Sequence, residues 1–102
     1  MDEQSAEEAA RAHASSVVAG DIGSTVRGMT PEGLAKAMQI GNTSWIYFGY
    51  ELTPKGQDGD DYLFDMDYKT DLGLLSMRYR FRCMEGEWKV VDTERIGDAA
   101  GP

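Results

Sequence analysis

From Ala6 to Ala19 the weakly apolar positions Ala6, Ala9, Ala10, His13 and Val17 recur at helical spacing, with charged and polar residues between them. Ser5 followed by Glu8 reads as a capping box and Gly20 as a stop, so the pattern predicts a helix over Ala6–Ala19. Asp21 as a cap, with Ile22, Val26 and Met29 spaced by four and three, predicts a second short helix weakened by Gly23 and Gly28. Thr30-Pro31-Glu32 then supplies an N-cap, a proline at the first helical position and an acid in the first turn. In that third helix Leu34 and Met38 are expected to face inward, and Gly41 to close it.

After Asn42 the period changes to two. Four strands are predicted, over Thr43–Pro54, Asp61–Thr70, Leu74–Met84 and Glu87–Ile96. Asp58-Gly59, Asp71-Leu72-Gly73 and Glu85-Gly86 between them are hairpin signals. Helices followed by strands define an α+β class, with three N-terminal helices on a four-stranded antiparallel meander. One domain is expected, with residues 1–5 and 98–102 frayed.

Alternation assigns the faces. Tyr62, Phe64, Met66 and Tyr68 share one face of the second strand, and Leu75, Met77, Tyr79, Phe81 and Cys83 share one face of the third. These are the core faces, so Phe64, Phe81, Trp88 and Val90 are expected to form one core with Val17 and Leu34. A two-residue Glu85-Gly86 turn sets Cys83 opposite Trp88, Phe81 opposite Val90 and Tyr79 opposite Asp92. That register puts one carboxylate on an apolar face, where burial beside a tyrosine would raise its pKa and suit it as a base or anchor. His13, on the inward stripe of the first helix, is its candidate partner. The plainer readings are a boundary histidine and an Asp92 that reaches solvent.

The first strand has two readings. A two-residue Asp58-Gly59 turn puts Trp45, Tyr47 and Gly49 on the core face and Ile46, Phe48, Tyr50 and Leu52 outside; a loop one residue longer reverses this. Either way large apolar groups face both sides, which implies a partner surface. On the outer face Arg78, Arg80, Arg82, Lys89 and Arg95 form a basic stripe, with Asp65 and Asp67 placed to pair with Arg78 and Arg80. The stripe has two readings, a solvated or dimer-buried charge ladder and an anion site.

Composition narrows the function classes. The 102 residues are 41% hydrophobic and 27% charged, ordinary globular usage, with a formal net charge of −8. Such a field repels nucleic acid and anionic membrane surfaces. No apolar run reaches the roughly 20 residues that span a bilayer, and the acidic start Met1-Asp2-Glu3 lacks a signal-peptide pattern. The cytoplasm is the expected location. One Cys and one His suggest no zinc site, the separated acids form no calcium loop, and no glycine-rich phosphate loop or nucleophile elbow is found. No cofactor is expected.

Val18-Ala19-Gly20-Asp21-Ile22 at the end of the first helix, the capping Thr30-Pro31-Glu32, and the closing hairpin from Phe81 to Val91 together resemble the nuclear-transport-factor-2-like superfamily, also described as cystatin-like α+β, in a minimal version. The family includes steroid-isomerase-like and SnoaL-like polyketide-cyclase-like proteins. The resemblance implies a curved sheet wrapped around helices as a cone, a pocket for a small apolar ligand at its open end, and dimerisation through the sheet. This chain lacks the strand hairpin usual between the second and third helices, and no catalytic acid of the family aligns with it. The polar groups expected at the pocket are His13, Tyr68, Tyr79 and Asp92. Two functions follow: a non-enzymatic, homodimeric module that binds a small ligand, or a small isomerase-like or hydrolase-like enzyme using Asp92.

Overall fold

The computed structural model describes residues 3–40 and 46–97. Three helices, α1 (Glu3–Ala19), α2 (Ile22–Arg27) and α3 (Pro31–Ile40), precede four strands, β1 (Tyr47–Asp58), β2 (Asp61–Thr70), β3 (Gly73–Met84) and β4 (Glu87–Gly97). The strands form one open antiparallel sheet in sequence order, and the helices pack against one of its faces. This is the α+β architecture that the change of period predicts.

Local chemistry sets the helix ends. α1 begins at Glu3, so Ser5 lies within its first turn and is not the cap, and Glu3–Ser5 are helical where fraying was expected. Glu3 places negative charge at the positive end of the helix. At the other end Gly20, at φ +74°, donates its N–H to Val17 O (3.1 Å), and Asp21 donates its N–H to Ser16 O (2.9 Å). Only a left-handed residue permits this double closure, which is why glycine stands there. The Asp21 carboxylate then caps α2, accepting from Ser24 N–H at 3.2 Å and from the Ser24 hydroxyl at 2.7 Å.

The link into α3 is stitched to β4. Val90 N–H donates to Gly28 O (2.8 Å), Thr30 N–H donates to Val90 O (2.9 Å), and the Thr30 hydroxyl accepts from Gly33 N–H (3.1 Å). α3 lies so close to the strand that a Cβ on Gly33 would stand 2.3 Å from Val90 O. Glycine is required there by proximity, not by conformation.

The core joins Phe64, Met66 and Tyr68 of β2, Leu75, Met77, Tyr79 and Phe81 of β3, and Val90 of β4 to Ala6, Ala10 and Ala14 of α1. Those three methyl groups are fully enclosed, so α1 can lie close against the aromatic sheet face. Val17 and Trp88 are partly buried against this core and Leu34 is half-buried, whereas Met38 and Ile22 are exposed. The inward orientation expected for Met38 is therefore corrected; it stands at a cavity mouth.

Four bulges curve the sheet and revise its register. In β1, Tyr47 pairs with Thr70 but Gly49 pairs with Lys69, leaving Phe48 as the extra residue. Tyr47, Tyr50 and Leu52 consequently all pack on the core while Phe48 projects outward. Each single-register reading of this strand is right for only part of it. A second bulge at Lys55 follows Pro54, a proline tolerated because β1 is a sheet edge. The first hairpin turns at Gly59-Asp60, with Asp58 paired to Asp61, one residue later than the sequence suggests. Gly41, Thr43 and Trp45, to which the sequence assigned a helix end and the start of the first strand, lie outside the described residues, as do residues 98–102.

In β4, Phe81 pairs with Val90 as predicted, but Arg80 pairs with Asp92 and Tyr79 with Thr93. Val91 is the extra residue, and it rotates Asp92 off the core face. The fourth bulge, at Ile96, separates the Met77–Arg95 and Ser76–Gly97 pairs. Such insertions increase local bend and twist. On the outer face Asp65 holds Arg78 through two bonds (2.7 and 3.0 Å), and Asp67 accepts from Ser76 (2.6 Å) rather than pairing with Arg80. Arg80 instead reaches Asp58 and Asp61, and Arg82 reaches Asp61.

Candidate functional site

A cavity of about 590 Å³ opens at one end of the helix–sheet interface. α1 contributes His13, Ser16 and Val17 to it, α2 contributes Ile22 and Thr25, and α3 contributes Leu34, Ala37 and Met38. The sheet side adds Ile46, which precedes β1, Tyr47 from the start of β1, Leu75, Met77 and Tyr79 from β3, and Arg95 from β4. The lining is apolar over most of its surface. Its rim is apolar as well: Ile22 is 74% exposed, Met38 66% and Ile46 57%. Ile46 is held in place by Asp71, which accepts the Ile46 N–H at 3.1 Å and donates its own N–H to Ile46 O at 3.0 Å.

His13 is a buried polar group of the lining. It is 6% exposed, and neither ring nitrogen meets a hydrogen-bond partner among the described residues. The ring packs edge-on against Tyr79, with centroids 5.1 Å apart, and against Phe81 at 6.1 Å. Burial disfavours the charged form and lowers the pKa from 6.5 to about 4. The imidazole is therefore neutral at pH 7, with one N–H to donate and one lone pair to accept.

Tyr79, fully enclosed, lies across from His13, and its hydroxyl is 3.0 Å from that of Tyr68. Tyr68 in turn donates to Met66 Sδ at 3.4 Å. Burial pushes both phenols above the ordinary tyrosine range, so both stay protonated. Tyr47 packs edge-on over Tyr68 at 5.3 Å. The Tyr68 hydroxyl thus stands behind that of Tyr79, which lines the cavity itself.

Three of the four pocket residues expected from the sequence are accordingly neighbours, and the fourth is not. Asp92, beyond the bulge at Val91, ion-pairs with Lys36 at 3.7 Å, with both side chains about half exposed, and accepts the N–H of Thr93 at 3.0 Å. Thr93 occupies the inward place instead, 2% exposed with its hydroxyl unpaired. Among the described residues no carboxylate lines the cavity. Arg95 and the α2 residues at the cavity were not anticipated. Arg95 read as part of the outer stripe, because the bulges that reorient β4 carry no compositional signal.

The fold and the cavity together define an open antiparallel sheet roofed by helices over a ligand-sized pocket. No protein-family model, curated protein or solved structure matches the chain. Among the described residues, no helix is long and apolar enough to cross a membrane.

Proposed function

We infer that the chain is a small-molecule-binding domain of the nuclear-transport-factor-2-like type, acting in the cytoplasm as a homodimer joined through its sheet and taking one small, mainly apolar ligand into the cone. The observation that carries this reading is the cavity of about 590 Å³ with an apolar lining and an exposed apolar rim. That volume lies within the roughly 300–1,000 Å³ of small-ligand sites. Apolar side chains left in water at a cavity mouth are favourably covered by an apolar guest. Neutral His13 offers the guest one polar contact and Tyr79 a second.

An isomerase-like or hydrolase-like reaction at an acid would need a carboxylate at the cavity, and Asp92 stands outside it. Binding without chemistry is therefore the preferred reading. Its test is a titration with the neutral apolar dye N-phenyl-1-naphthylamine, followed by fluorescence. Saturable micromolar binding that weakens at least tenfold in an Ala37→Phe variant, which fills the cavity from α3, supports it. Absence of saturable binding, or equal binding by a folded Ala37→Phe protein, overturns it.

A further inference from the structure

A second, smaller cavity of about 230 Å³ lies in the groove between α1 and α2, and the reading of the cone does not use it. Its walls are small: Ala9, Ala12 and Ser16 from α1, Ser24 and Gly28 from α2 and its cap. Its floor is aromatic, made of Phe81, Trp88 and the imidazole of His13. Small walls over a ring-lined floor, in which the His13 and Phe81 planes meet at 81°, leave room for one small planar ring.

The polar groups of this groove divide cleanly. The wall hydroxyls are occupied: Ser16 donates to His13 O at 2.7 Å and lies 2.8 Å from the Thr25 hydroxyl, while Ser24 donates to the Asp21 carboxylate at 2.7 Å. The floor rings are not. Among the described residues, enclosed Trp88 Nε1 has no acceptor and the two enclosed nitrogens of His13 have no partner. Buried donors are nearly always paired, so two unpaired rings in one slot are a site short of an acceptor. Gly28 keeps the slot open at His13, since a Cβ there would stand 3.6 Å from His13 Nδ1.

Among the described residues no ionised side chain lines the groove, and an enclosed anion without a countercharge is disfavoured. We propose that this α1–α2 groove is a second binding site, specific for a small, neutral, planar molecule whose carbonyl-type oxygen accepts hydrogen bonds from Trp88 and His13. Edge and face contacts with Phe81 and Trp88 hold its ring, and the two N–H groups orient its oxygen. The site shares His13 and Ser16 with the cone cavity but none of the cone's apolar rim.

Acetophenone is a suitable probe, because it carries an acceptor and no donor, and α-methylstyrene has the same shape without the oxygen. In an amide-proton titration of the ¹⁵N-labelled chain, the indole resonance assigned by its loss in Trp88→Phe should move downfield saturably with acetophenone. α-Methylstyrene should bind about tenfold more weakly, as expected for one lost hydrogen bond. Trp88→Phe, read at the Gly28 and Ser24 amides, should weaken acetophenone by a similar factor. Gly28→Leu should fill the slot; Gly28 has φ −84°, a conformation any residue adopts. Ala37→Phe, which blocks the cone, should leave the groove shifts unchanged and so separates this site from the other. Equal affinity for the two probes, loss of the shifts in Ala37→Phe, or no saturation at millimolar probe would overturn the proposal and leave a groove that holds water only.

Discussion

At the scale of single residues, His13 links the two cavities and makes stability depend on pH. Its pKa is about 4 in the folded chain, against 6.5 when unfolded, and the cause is burial. Between those values the unfolded chain binds the proton and the folded chain does not, so stability falls as pH drops through 6.5 and the loss is complete below 4. The expected loss is about 2 kcal/mol by pH 5 and roughly 3 kcal/mol in full. Denaturant titrations at pH 7 and pH 5 would measure it. A His13→Leu variant should lose this component of the difference, and an unchanged difference would rule out His13 as its source. The sequence placed His13 on the inward stripe of α1 correctly. That both nitrogens would go unpaired was not legible, because it depends on what the elements around the ring fail to present to it.

At the scale of elements, what the sequence revealed and what it hid follow from the chemistry of turns and bulges. Turns announce themselves: Glu85 and Gly86 adopt φ +54° and +83°, and Gly59 and Gly73 are also positive, conformations that select glycine and a few polar residues. The bulge residues Phe48, Lys55, Val91 and Ile96 carry no such mark, since three of the four are ordinary strand formers that continue the pattern. In the β2–β3 ladder, which contains no bulge, the alternation of core and outer faces was therefore legible along its length, although Asp67 lies opposite Ser76 and not an arginine, and the β4 register failed just beyond Val90. That failure exchanged Asp92 for Thr93. The exchange has a measurable consequence, because the Thr93 hydroxyl is enclosed opposite Tyr79 with no partner. Thr93→Val keeps the shape, removes the orphan group and should stabilise the fold by roughly 1 kcal/mol. Asp92→Ala, which removes a half-exposed pair with Lys36, should cost about 1 kcal/mol or less. Equilibrium unfolding of both variants decides the register: a destabilised Thr93→Val beside a severely destabilised Asp92→Ala would restore the unbulged strand.

At the scale of the whole molecule, the outer face of the sheet is the surface the helices leave uncovered, and its charges are largely satisfied within the chain. Asp65 grips Arg78, while Asp61, its side chain almost wholly enclosed, accepts from both Arg80 and Arg82. The Arg82 guanidinium is the main cause holding the Asp61 carboxyl below its ordinary range. A stripe so paired is a poor anion site, which favours the charge-ladder reading of the sequence. It is a tolerable interface rim, since its groups need no new partners. The apolar centre of such an interface lies toward the β2–β3 turn, where Phe48 is 67% exposed and Leu72, Leu74 and Ile96 are also open to solvent. The register brings these together: Phe48 precedes Gly49, which pairs with Lys69; Lys69 pairs with Leu74; and Ile96 adjoins Gly97, the partner of Ser76. A two-fold axis through this patch would cover it with its own copy. Light scattering at micromolar concentration should then give twice the chain mass of 11.3 kDa. Phe48→Glu should return the protein to monomer. Ile22→Glu, at the cavity mouth on the opposite face of the sheet, should leave the dimer intact. A monomeric wild type rejects the dimer outright, and a dimer that survives Phe48→Glu but dissociates with Ile22→Glu would move the contact to the cavity mouth, where a second copy would close the cone.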